Sequence, residues 1–127
     1  MSVKILYIED NPDNRMLVRR VLQSEGYTVI EANDGPGGIQ AATEQIPDLI
    51  LMDINLPDVD GYEITARIKQ LPGLAKVPVI ALTANVMKGD REKTLAAGCD
   101  GYIQKPIDID QLSAQIEHFL TLKRKAL

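Results

Sequence analysis

Two short runs, Leu49-Ile50-Leu51-Met52 and Val79-Ile80-Ala81-Leu82, are apolar at every successive position. A strand with one face in water alternates apolar and polar side chains, so these runs read as strands covered on both faces. That requires a parallel sheet with helices on either side of it. Apolar runs rich in β-branched residues recur along the chain at Val3 to Ile8, Tyr27 to Ile30, Leu49 to Met52, Val77 to Leu82, and Tyr102 with Ile103, which makes five strands. Between them the apolar residues repeat at helical spacing, as in Leu17, Val18, Val21 and Leu22, then Ile64, Ile68 and Leu71, then Leu112, Ile116, Phe119 and Leu120. Gly26 and Gly98 stand where helices should end, and Pro47 and Pro78 each precede a strand. A second helix, about Pro36 to Gln45, is the least favoured intrinsically, because Gly37 and Gly38 each cost up to about 1 kcal/mol against Ala.

Strands alternating with crossover helices pair in parallel through right-handed connections, so the expected class is α/β with helices on both faces of one sheet. No internal repeat or low-complexity linker interrupts the pattern, and 127 residues suit a single domain spanning 1–127 with no output domain appended. At 45% hydrophobic and 25% charged residues, the chain can bury a core and is not a disordered segment. Eighteen acidic residues against 14 basic ones give a net charge of -4, with the one basic cluster at Lys123, Arg124 and Lys125. Such a balance offers no general attraction for nucleic acid or anionic lipid. The single Cys99 excludes an internal disulfide, the start lacks a signal-peptide core, and no apolar run approaches a membrane span. A cytoplasmic protein with neither nucleic acid nor membrane as a partner is the expectation.

In an open α/β sheet, ligands bind outside the carboxyl ends of the strands. The residues that fall there are unusually polar: Glu9-Asp10 after the first strand, Asp53 and then Asn55 after the third, Thr83 after the fourth, and Lys105-Pro106 after the fifth. Three carboxylates crowded together repel, each pair by about 4 kcal/mol at an effective dielectric near 20, and one lysine offsets only part of that. An all-oxygen site without His or Cys suits Mg²⁺. A magnesium ion beside a lysine and a hydroxyl is equipment for stabilising a transferring phosphoryl group, and an Asp carboxylate can be the attacking nucleophile.

At these residues the chain resembles the receiver domains of bacterial two-component response regulators. The words that carry the resemblance are Ile8-Glu9-Asp10-Asn11, Met52-Asp53-Ile54-Asn55-Leu56-Pro57-Asp58-Val59-Asp60-Gly61, Ala81-Leu82-Thr83-Ala84 and Lys105-Pro106. It covers about Val3 to Leu122. The resemblance implies a flavodoxin-like doubly wound fold, five parallel strands in the order 2-1-3-4-5 flanked by five helices. It implies that Glu9 and Asp10 hold Mg²⁺ with Asp53 and the backbone carbonyl of Asn55, that Asp53 accepts the phosphoryl group, and that Thr83 and Lys105 bind its oxygens. A cis Lys105-Pro106 bond and a switch role for Tyr102 follow from the same likeness. The implied partners are a histidine kinase or histidine phosphotransfer protein upstream and an effector protein downstream, the latter met through helix four, strand five and helix five. The protein would be a stand-alone signalling switch rather than an enzyme.

A second reading, a metal-dependent nuclease or primase-like fold with Glu9 and Asp53 as ligands, is disfavoured by the Asp53-x-Asn55 spacing and the acidic balance. The remaining polar residues near the site, Asn11, Asp13, Asn14, Asp58 and Asp60, read as turn and capping residues. Asn55 and Asn85 flank the site and are candidates for tuning hydrolysis. Val86 and Met87 open the fourth helix, as core or as partner surface. Cys99 reads as a small buried hydrophobe, and His118 as a residue remote from the chemistry.

Overall fold

Among the described residues strand and helix alternate: β1 (Lys4–Ile8), α1 (Pro12–Ser24), β2 (Thr28–Ala32), α2 (Gly35–Gln45), β3 (Leu49–Asp53), α3 (Gly61–Lys69), β4 (Val79–Thr83), α4 (Lys88–Ala96), β5 (Gly101–Gln104) and α5 (Ile109–Ala126). The computed structural model describes residues 3–56, 60–84 and 88–126, with backbone alone at 88–91 and 123–126. All five strands pair in parallel in the order β2-β1-β3-β4-β5, the doubly wound α/β arrangement the sequence predicts. No helix among the described residues is long and apolar enough to cross a membrane.

Strand alternation sorts the core into two layers. Leu6 and Ile8 of β1 and Ile50 and Met52 of β3 pack with Ala42 of α2 and Ile64 and Ile68 of α3. Ile5 and Tyr7, with Leu49 and Leu51, face the other way onto Val18 and Leu22 of α1 and Leu112, Ile116 and Leu120 of α5. The doubly apolar runs are accordingly buried at every position of β3 and β4. Each fully buried Leu or Ile contributes about 1.5–3 kcal/mol relative to leaving it in water.

The helix ends follow local chemistry. The Asn11 side chain caps α1 by accepting from the backbone N–H groups of Asp13 and Asn14, and Pro12 opens the helix, where a missing N–H costs nothing. Asp34 and Asp60 cap α2 and α3, as capping residues should. Gly26, just past α1, has φ +89°, a left-handed conformation that suits a residue without a Cβ. Gly38 of α2 turns out to serve packing: a Cβ there would collide with the Ile8 side chain, so α2 lies close against β1 because that position is bare.

Two strand boundaries differ from the sequence reading by two residues, and the others by at most one. β2 runs on to Ala32, because Glu31 faces outward on an edge strand and keeps the ladder. β4 starts at Val79 rather than Val77, since Pro78 has no N–H to give, though its carbonyl still accepts from Ile50. At that amino end the Asp100 carboxylate accepts from the Val79 N–H at 2.9 Å and from the Lys69 ammonium at 2.8 Å. Lys69 also donates to the Val77 carbonyl at 2.6 Å, joining α3, β4 and the turn before β5 in one knot.

Candidate functional site

The sheet register assembles the site. Ile8 stands opposite Met52, so the next residues along each strand, Glu9 and Asp53, emerge side by side at the carboxyl edge. By alternation both belong to the face of Ile5, Tyr7, Leu49 and Leu51, the α1 and α5 side of the sheet. Lys105, two residues beyond Ile103 of that same layer, arrives on that side too. Its backbone N–H donates to the Thr83 carbonyl at 2.8 Å, and the Lys105-Pro106 peptide bond is cis.

Oxygen atoms of Glu9, Asp10 and Asp53 all lie within 4.8 Å of one another. Glu9 and Asp53 are buried, at 1% and 2% exposure, whereas Asp10 is exposed. The Lys105 ammonium sits 3.1 Å from Asp53 Oδ1 and 3.7 Å from Glu9 Oε1. The backbone N–H of Asn55 donates to Asp53 Oδ1 at 3.0 Å. Burial, followed by the adjacent Asp53 carboxylate, pushes the Glu9 carboxyl up to about 7, against an opposing hydrogen bond from Asn14. Burial also acts to raise Asp53, but Glu9, the Asn55 N–H and Lys105 outweigh it and hold that carboxyl below its ordinary value. The two acids are therefore driven apart: one readily holds a proton, the other stays anionic and presents a nucleophilic oxygen.

The donor set fits a small hard cation. Among the described residues three carboxylates cluster, two of them beside the Lys105 ammonium, and Glu9 Oε2 is a buried oxygen that accepts no hydrogen bond. Next to the acids a cleft of about 440 Å³ opens between α1 and the segment after β5, lined by Glu9, Asn14, Leu17, Ala84, Lys105 and Pro106.

Thr83 lies at the end of β4 with 6% exposure. Tyr102 is half-buried against the α3 side of the core and borders a cleft formed with α5. His118 lines that cleft rather than the acidic pocket, with its ring edge-on to Phe119 at 5.4 Å. Cys99, at 4% exposure, is the buried small hydrophobe its position predicts. Asp58, Asn85, Val86 and Met87 lie outside the described residues.

One residue assigned to a turn is part of the site. Asn14 Nδ2 donates to Glu9 Oε1 at 2.9 Å, while its neighbour Arg15 donates to the Glu9 backbone carbonyl at 2.7 Å and faces Glu31 at 3.9 Å. Residues 14 and 15 follow Glu9 by one and a half helical turns, and only the way α1 folds back over β1 brings them to it. No local signal separates Asn14 from the capping residues Asn11 and Asp13 beside it.

The response regulator receiver domain profile matches residues 5–117 of this chain. The polar-differentiation response regulator DivK of Brucella ovis is 41% identical over 120 residues, covering 94% of this chain and 98% of that protein. A receiver domain protein from Methanospirillum hungatei superimposes with a TM-score of 0.91 over the whole of both chains, at 27% identity. The receiver domain of a sensor histidine kinase from Pseudomonas aeruginosa, 39% identical with a TM-score of 0.86 over 95% of this chain and 99% of its own, has a magnesium ion coordinated in its active site cleft. Strand order, pocket chemistry and relatives agree, and the chain belongs to the response regulator receiver domain family.

Proposed function

We propose that this receiver domain takes a phosphoryl group from a phosphohistidine of a histidine kinase or histidine phosphotransfer protein onto Asp53. The observation that carries the reading is the Lys105 ammonium 3.1 Å from an oxygen of a buried Asp53 that stays anionic beside Glu9. An Asp53 oxygen attacks phosphorus, the phosphorus–nitrogen bond breaks, and the imidazole leaves with the electron pair. Lys105 is placed to offset the added charge, and the Asn55 N–H keeps the carboxylate oriented. Glu9, Asp10, Asp53 and the Asn55 carbonyl would hold Mg²⁺, which when bound supplies charge that draws the anionic donor to an anionic acceptor. Since the chain modifies itself and turns over no pool of substrate, it acts as a switch rather than an enzyme.

An aspartyl phosphate presents new anionic oxygens near Thr83 and Lys105, and a conformation that brings donors to them is favoured by charge-assisted hydrogen bonds. Movement of Thr83 would admit the Tyr102 ring and alter the face made by α4, β5 and α5, where an effector would bind. Moving such an equilibrium from 1:99 to 99:1 takes about 5.5 kcal/mol, within reach of a few bonds of this kind. Alternatively the phosphoryl group passes onward to another histidine. Family membership leaves the nuclease alternative without support.

The test is intact mass after incubation with Mg²⁺ and a small phosphodonor at neutral pH. A gain of one HPO₃ on the native chain, absent in Asp53→Ala, is expected. No gain, or the same gain in Asp53→Ala, refutes the assignment.

A further inference from the structure

The two oxygens of the Glu9 carboxylate stand in different circumstances. Oε1 accepts from Asn14 Nδ2 at 2.9 Å and faces the Lys105 ammonium at 3.7 Å. Oε2 is buried with no hydrogen-bond donor among the described residues. The terminal torsion of a Glu side chain is a broad rotor, so something must decide which oxygen points where.

We propose that Asn14 is a positioning residue that fixes the Glu9 carboxylate by its Oε1 and so leaves Oε2 turned toward the cation. The inference rests on the reading of Glu9 as a magnesium ligand. Asn14 is itself held: its backbone N–H donates to the capping Asn11 side chain at 3.1 Å, and Arg15 ties the same helical turn to the Glu9 carbonyl at 2.7 Å. The amide therefore projects from a turn held at the Asn11 cap and tied, through Arg15, to the residue that follows β1. An uncharged donor suits this task, since a second cation beside Lys105 would compete with the metal for the same carboxylate. Mg²⁺ demands near-octahedral geometry, which makes its affinity sensitive to how a ligand is oriented. Partners that orient metal ligands are typically worth 10–100-fold in affinity.

The experiment is a Mg²⁺ titration of the full chain followed by the amide NMR shifts of Asp10 and Asn55, with the metal-free spectrum serving as the check of fold. Asn14→Ala is expected to bind Mg²⁺ about tenfold or more weaker, and Asn14→Gln, which keeps the amide, to recover most of the loss. In a Glu9→Gln background the Asn14→Ala change should cost less than about twofold, because the oxygen it organises is gone. Asn14→Leu, similar in size but without a donor, should behave as Asn14→Ala does and stands in for it if that variant does not fold. Binding within about twofold of wild type for Asn14→Ala or Asn14→Leu overturns the proposal, as does an undiminished loss in the Glu9→Gln background. No binding by the wild-type chain would instead sink the magnesium reading on which the proposal stands.

Discussion

The Glu9 carboxylate is held in place against its own preference, and replacing it with an uncharged isostere should stabilise the metal-free protein. Its carboxyl is raised from 4.5 to about 7, first by burial and then by the neighbouring Asp53. The folded state thus holds the proton more tightly than the unfolded chain does. The contribution of Glu9 to folding stability is accordingly full below pH 4.5, falls as pH rises, and is lost above about pH 7. At 1.36 kcal/mol per pKa unit the loss is on the order of 3 kcal/mol. Glu9→Gln removes the charge, keeps an acceptor for Asn14 and offers an amide to Asp53. For a chain of this size the gain corresponds to a rise in Tm of about 10 °C. Thermal unfolding followed by circular dichroism in EDTA should show that gain at pH 8 and little of it at pH 5, where wild-type Glu9 is largely protonated. Added Mg²⁺ should narrow the gap at pH 8, since it binds the wild-type site better. A Tm for Glu9→Gln at or below wild type at pH 8 in EDTA, or an equal gain at both pH values, would refute the argument that the site carries stored charge repulsion.

Two further outcomes follow from packing. Gly61→Ala would place a Cβ 2.7 Å from Ile54 Cα and 2.8 Å from the Asp53 carbonyl oxygen; forced crowding against backbone costs about 1–3 kcal/mol, visible in urea denaturation together with slower phosphorylation of Asp53. Burial pushes the Cys99 thiol from 9.0 up to about 11, so at pH 8 the native protein should react with iodoacetamide about a hundredfold more slowly than the unfolded chain. Equal rates in the two states would show that the thiol is open to solvent.

The fold was largely legible because each strand is a short apolar run with its own punctuation, and because the all-apolar β3 and β4 admit only a two-sided cover. The ends of β2 and β4 were less so. Glu31 looks like a loop residue until an edge strand gives its side chain somewhere to go, and Val77 reads as strand until Pro78 withholds a donor. The acids and the lysine were readable from their places after successive strands, since register converts those places into neighbours. Asn14 was not, because its contact depends on the angle at which α1 returns over β1, a tertiary fact with no local signature. Gly38 likewise looked like a liability to α2 and proved to be a contact surface for Ile8.

The Asp100 carboxylate, gripping both Lys69 and the first amide of β4, works like a vice on one end of a beam. Thr83 is carried at the opposite end, so the strand between them has no freedom to slide when its tip is tugged. A rearrangement that moved Thr83 and Tyr102 would leave the amino end of β4 clamped, and so leave the β-ladder a fixed register to return to. Resettability would then be a mechanical property of the scaffold: Val79 should keep among the slowest-exchanging amides of the molecule whether or not Asp53 is modified.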